Sequence, residues 1–105
     1  MDLNQLKPSL DQYLATVSQS ITVDQVIIFG SQVAGKAAPD SDIDVLVVSD
    51  DFKRLDEGQR FDILHPARLN IEPDIDPWGF TSDELANLSP LSIFGSARDR
   101  GIRFI

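Results

Sequence analysis

Two apolar runs on either side of a short turn-rich connection constrain this chain more than any other feature. Residues 26–29 read Val-Ile-Ile-Phe and end in Gly30-Ser31. Residues 43–48 read Ile-Asp-Val-Leu-Val-Val and are entered through Asp42-Ile43-Asp44. Runs this apolar at successive positions suit strands covered on both faces, so both belong in the interior of a sheet. In extended backbone, residues i and i+2 project to the same side, which predicts that Asp42 and Asp44 point together with Ile43 turned away. Two adjacent carboxylates repel each other unless a cation, a proton or water relieves them. The glycine that closes the first run lets the backbone turn tightly or come close to a ligand.

The flanking residues supply the rest of a small α/β domain. Leu3, Leu6, Leu10, Tyr13, Leu14 and Val17 fall at helical spacing and predict a packing helix. Pro8 either sits in its first turn or interrupts a longer helix. A strand is expected over residues 23–29 and a second over 43–48, ended by Ser49-Asp50-Asp51. Between them, residues 31–38 are mostly small, Lys36 is the cation, and Pro39-Asp40-Ser41 signals a turn. Residues 52–68 read as helical, with Gly58 dividing them into two short helices and His65-Pro66 closing the segment, His65 as a surface histidine at the helix end. Residues 69–76 alternate, which predicts a third strand with Glu72, Asp74 and Asp76 on one acidic face and Pro73 at an edge or bulge. Pro77-Trp78-Gly79-Phe80 reads as a loop with packing aromatics. Thr81 to Glu84 has the form of a capping box, and Ser89-Pro90 signals a second helix start. Leu91, Phe94, Ala97 and Arg98 should share one side of that last helix, which Gly101 ends, and residues 102–105 look like a final short strand. The expectation is one domain over residues 1–105, with a mixed sheet of about four strands flanked by helices. Those helices are expected on one side, with the acidic site at the sheet edge.

Composition narrows the chemistry. Seventeen acidic against nine basic residues give a formal net charge of −8, which argues against nucleic acid or an anionic membrane as a partner. There is no cysteine and a single histidine, so a bound metal would be held by oxygen, as suits magnesium or manganese. The sequence has neither a signal-peptide pattern nor a long apolar run, which points to the cytoplasm. Phe94-Gly95-Ser96 echoes Phe29-Gly30-Ser31, but no Asp-x-Asp follows it, and the echo reads as coincidence.

Phosphoryl or nucleotidyl transfer needs close backbone donors for phosphate oxygens and divalent ions that steady the attacking and leaving oxygens. A glycine-serine turn at a strand end can supply the first, and clustered carboxylates can hold the second. A third carboxylate from the acidic strand would complete the set and could take the proton of the attacking hydroxyl.

Gly30-Ser31, followed by Gly35-Lys36-Ala37-Ala38-Pro39-Asp40-Ser41-Asp42-Ile43-Asp44, resembles the signature of the nucleotidyltransferase superfamily that includes DNA polymerase β. The chain is most similar to the minimal nucleotidyltransferases, the MntA-type antitoxins paired with HepT-type toxins. Ile75-Asp76-Pro77-Trp78-Gly79-Phe80 resembles the strand that carries the family's third carboxylate, and residues 99–104 resemble its last helix and strand. The resemblance implies that Gly30 and Ser31, with Lys36 and Ser41, bind the nucleotide. It implies that Asp42, Asp44 and Asp76 are catalytic and hold magnesium. Asp74 and then Glu72 are the alternatives to Asp76. The implied reaction moves AMP from ATP to a hydroxyl, which for the antitoxins is a tyrosine of a basic, helical toxin partner in a hetero-oligomer. Many members carry arginines where this chain has Gln32 and Ala34. Two other functions fit the same residues: an antitoxin that acts by contact with weak or lost catalysis, and a small-molecule nucleotidyltransferase. The second normally carries an additional helical domain, for which 105 residues leave little room.

Overall fold

The computed structural model describes residues 3–30 and 42–105. The second apolar run is a strand over Ile43–Val48, here β2, and the first is β1, Gln25–Phe29. They pair antiparallel, with Phe29 opposite Asp44. β3, Ile75–Phe80, lies parallel on the other side of β2, and β4, Ile102–Arg103, pairs antiparallel with β1. The sheet is mixed, four-stranded and ordered β3-β2-β1-β4.

Alternation along β1 and β2 sends apolar side chains to both faces, and each face has its own cover. Val26, Ile28, Ile43, Val45, Val47 and Ile75 pack under α1, Leu3–Val17, together with Phe52 and Leu64. Ile27, Leu46 and Val48 pack on the opposite face under Leu85 and Ala97, with Phe29, Phe80 and Phe94 alongside. The expectation of helices on one side is therefore corrected: strands with two apolar faces require cover on both. α1 runs through Pro8 as one long helix. Its Tyr13, fully buried, donates a hydrogen bond to the carbonyl of Leu64 at 2.8 Å, satisfying one of the unpaired carbonyls at the end of α2, Glu57–Leu64.

The crossover from β2 to β3 is made of 3-10 turns at Asp50–Arg54 and Pro66–Arg68 around α2. Its division falls ahead of Gly58, because Asp56 caps α2 in a capping box with Gln59. His65 caps the end of α2 and stacks on Phe61 at 3.7 Å.

The third strand is shifted from its predicted place. Residues 69–74 form turns, with Leu69 exposed and Asn70 at a φ of 65°, and the strand instead includes Pro77-Trp78-Gly79-Phe80. Pairing with the whole length of β2 overrides the local alternation. Pro77 is tolerated because Ile43 donates to Asp74 and Ser49 to Phe80. The even-numbered residues thus face β2, and the missing N–H of Pro77 falls on the free edge.

α3, Ser82–Ala86, starts at the predicted capping box of Thr81 and Glu84. α4, Ile93–Arg100, starts three residues later than the Ser89-Pro90 signal, because Ser92 takes the cap by accepting from the Gly95 amide at 3.0 Å. Leu91 is consequently left exposed rather than packed, while Phe94 and Ala97 face the sheet and Gly101 ends the helix.

Candidate active site

The site sits at one end of the sheet. β1 ends where β2 begins, and β3 begins beside the start of β2, so this end gathers Gly30, Asp42, Asp44 and Asp76 from three separate segments. Asp44 and Asp76 are register partners on adjacent parallel strands. Both are half-buried on the α4 face, since they share parity with Leu46 and Phe80. The predicted lateral edge position is thus half right: β3 is an edge strand, but the paired carboxylates lie at its end and on interior β2.

Burial pushes the Asp44 carboxyl up to about 6, helped by the charge of Asp76, a hydrogen bond to it, and the charge of Asp42. Below that pH Asp44 keeps a proton and donates it to Asp76. Above it the two carry like charge in a desolvated corner, the situation that a cation relieves. Asp42 is exposed, one residue ahead of β2. Among the described residues, no three Asp, Glu, His or Cys side chains close into a group that could hold a metal. The carboxylate oxygens of Asp42, Asp44 and Asp76 are the kind of donor that would suit a hard divalent ion.

Of the alternatives to Asp76, neither lies on β3. Asp74 is exposed and contributes its carbonyl to the Ile43 amide at 2.7 Å, and Glu72 is exposed and contributes its carbonyl to Ser9 at 2.6 Å. The predicted acidic face of three is one carboxylate, because the strand starts at Ile75.

Gly30 has a φ of +80°, a conformation open to glycine and strained for other residues. A Cβ built on it would fall onto the Asp44 carboxylate, 3.1 Å from its carboxyl carbon. The backbone therefore passes directly against the Asp44 carboxylate. Ser31, Lys36 and Ser41, the other expected nucleotide contacts, lie outside the described residues, as do Gln32 and Ala34.

A cavity of about 230 Å³ opens beside Gly30, lined by Phe29, Ser96, Ala97 and Arg100 among others. Sequence reasoning passed over Ser96 and Arg100, which reach this corner because β4 pairs with β1 and holds the end of α4 beside Gly30. The spacing of four between them was a readable signal for a shared helix face. A wider cavity of about 580 Å³ runs along β3, with Phe61, Trp78 and Phe94 in its wall. Phe94 is the hub of an aromatic group, 4.9 Å from Trp78 and 5.4 Å from Phe80.

A family model of the nucleotidyltransferase domain matches residues 10–86, from α1 through α3. The chain belongs to the nucleotidyltransferase domain family. The matched span contains Gly30, Asp42, Asp44 and Asp76 of this nucleotidyltransferase domain. Its fold is similar to the crystal structure of a "putative nucleotidyltransferase" from Sulfolobus solfataricus, with a TM-score of 0.69 at 20% identity, covering 95% of this chain and 79% of that one. No curated protein is matched by the sequence.

Proposed function

We propose that this nucleotidyltransferase domain is magnesium-dependent and moves AMP from ATP to a tyrosine hydroxyl of a basic, helical partner, as the MntA-type antitoxin of a toxin–antitoxin pair. The observation that carries the catalytic part is the register pairing of Asp76 with Asp44, whose carboxylate lies against the backbone of Gly30. Magnesium, or manganese, would be held by Asp44 and Asp76 with Asp42, and supplies charge neutralisation for the attacking and leaving oxygens. The Gly30 turn orients the phosphates, with Ser31, Lys36 and Ser41 as its expected helpers. Asp76 accepts the proton of the attacking hydroxyl. A bond forms from the hydroxyl oxygen to the α-phosphorus, the bond from that phosphorus to the bridging oxygen breaks, and pyrophosphate leaves. The wider cavity begins at Pro77, next to Asp76, and gives the acceptor room on that side. The net charge of −8 suits a basic partner. No helix among the described residues is long and apolar enough to cross a membrane; the cytoplasm is the place of work that this reading proposes.

The test is incubation with labelled ATP and magnesium, with and without the co-purifying partner, comparing wild type with Asp42→Ala and Asp76→Asn. Label on the partner that both substitutions abolish supports the reading. A second reading, a contact-only antitoxin, is favoured by the finding that no three metal-ligating side chains group together among the described residues. It predicts no label from any nucleotide and partner binding unaffected in both variants.

A further inference from the structure

The acidic corner has an unmet electrostatic need. A nucleoside triphosphate would bring several negative charges to a place that already holds Asp42, Asp44 and Asp76, and divalent ions offset only part of the total. The described cations are mostly committed elsewhere. Lys7 pairs with Asp11, Arg60 with Glu84, and Arg98 with Asp99 while also donating to the carbonyls of Leu85 and Leu88. Arg68 donates to the His65 carbonyl and Arg103 to the Ile105 carbonyl. Lys53 and Arg54 follow the opposite end of β2.

Arg100 is different. It is exposed in the last turn of α4, its side chain has no hydrogen-bond partner among the described residues although its charge helps to lower the Asp99 carboxyl beside it, and it lines the 230 Å³ cavity together with Gly30. Ser96, one turn earlier on the same helix face, lines it too. The rest of the lining is apolar or backbone: Ile93 and Ala97 on the same face of α4, Gly101 after it, and Phe29 and Gly30 from the end of β1. The carbonyl end of a helix repels anions, so an anion in this cavity depends on the guanidinium and not on the helix.

We propose that Arg100, assisted by the Ser96 hydroxyl, is the polyphosphate-holding side of the site, gripping the β- and γ-phosphates that depart as pyrophosphate. The assignment of the ligand as a nucleoside triphosphate rests on the transfer reading above; the anion site itself does not. Arginine suits the task because its planar fork engages two phosphate oxygens at once, whereas lysine offers a single point charge. The arrangement supplies from α4 the cation that Gln32 and Ala34 do not supply from the connection.

The test uses the full chain and two probes, magnesium–ATP and inorganic tripolyphosphate, with binding measured by calorimetry for wild type, Arg100→Gln, Arg100→Lys and Ser96→Ala. Arg103→Gln serves as a control for loss of a nearby charge. Arg100→Gln is expected to weaken both probes about tenfold or more, Arg100→Lys to recover part of that, and Ser96→Ala to lose less. AMP, which lacks the outer phosphates, should bind all variants alike. An unchanged melting temperature for Arg100→Gln excludes a folding defect. Equal binding of both probes by Arg100→Gln and wild type, an equal loss in Arg103→Gln, or no polyphosphate binding by wild type overturns the inference. If polyphosphate binding depends on Arg100 but no label is ever transferred, the anion site stands and the transfer reading falls.

Discussion

Replacing Asp44 by asparagine should stabilise the metal-free protein, although Asp44 is placed at the centre of the site. Its carboxyl is raised from the ordinary 3.8 to about 6, first by burial and then by Asp76 and Asp42. A displacement of that size corresponds to roughly 3 kcal/mol for a group fully shielded from water. Asp44 is half-buried, and solvent screening reduces the figure to about 1 kcal/mol. Asparagine keeps the shape, removes the repulsion and can donate to Asp76. For a domain of this size, about 1 kcal/mol raises the melting temperature by about 4–8 °C.

The pH dependence fixes the sign. A carboxyl whose folded pKa lies above its unfolded value binds more protons in the folded state, so its contribution is fully present below pH 3.8 and is lost as pH rises through about 6. The advantage of Asp44→Asn should therefore be near zero at the acid end of that window and complete by pH 7.5. Thermal unfolding followed by circular dichroism in the presence of a chelator, from pH 4 to pH 7.5, measures it. Magnesium added at pH 7.5 should raise the melting temperature of wild type and leave the variant unmoved. A variant less stable than wild type at pH 7.5, or a difference that does not change with pH, would refute the reasoning.

Gly30→Ala should lose transfer activity and about 1–2 kcal/mol of stability in urea titration, because the residue is held at φ +80° and its new Cβ lands on the Asp44 carboxylate. Tyr13→Phe should cost about 1 kcal/mol by the same assay, leaving the Leu64 carbonyl without its 2.8 Å partner, and should not change transfer measured well below the melting temperature.

The parts of the fold that were legible from the residues are those where local pattern and tertiary demand agree. β2 occupies the predicted 43–48, and Thr81 caps α3 as its spacing with Glu84 indicates. β3 was misplaced because its local alternation, from Leu69 through Ile71 to Ile75, reports only which side chains tend to be buried together. Its true extent is set by pairing with β2, a contact between residues about 30 apart that no local period contains. The Ser89-Pro90 signal placed the start of α4 too early: Ser92 takes the cap, and the helix that follows carries Phe94 against Trp78 and Phe80. At the site, the residues predicted Asp42 and Asp44 together, and the resemblance added a third carboxylate, Asp76 ahead of Asp74 and Glu72; the register of β2 and β3 sets Asp76 opposite Asp44. The approach of Arg100 to Gly30 was not expected, because it depends on the pairing of a two-residue β4 with β1.

The position of Asp76 opposite Asp44 depends on a register that a glycine secures. A slip of β3 by one residue would turn Asp76 to the α1 face and put an apolar neighbour opposite Asp44. Ile75 resists the slip through its complete burial under α1. Gly79 resists it more specifically, because a Cβ there would lie 2.9 Å from Phe52 Cε2 and 3.0 Å from Leu64 Cδ1, and no larger residue fits this pairing without moving one of them. Gly79→Ala should therefore cost about 1–3 kcal/mol as an overpacked core and displace β3 along its whole length. The displacement separates Asp76 from Asp44, so the variant should also lose the pH-dependent instability that distinguishes wild type from Asp44→Asn. Comparing the melting temperatures of Gly79→Ala and the double variant with Asp44→Asn at pH 7.5 reads the coupling directly. If the second substitution still adds its full stabilisation in the Gly79→Ala background, Gly79 does not set the distance between the two carboxylates.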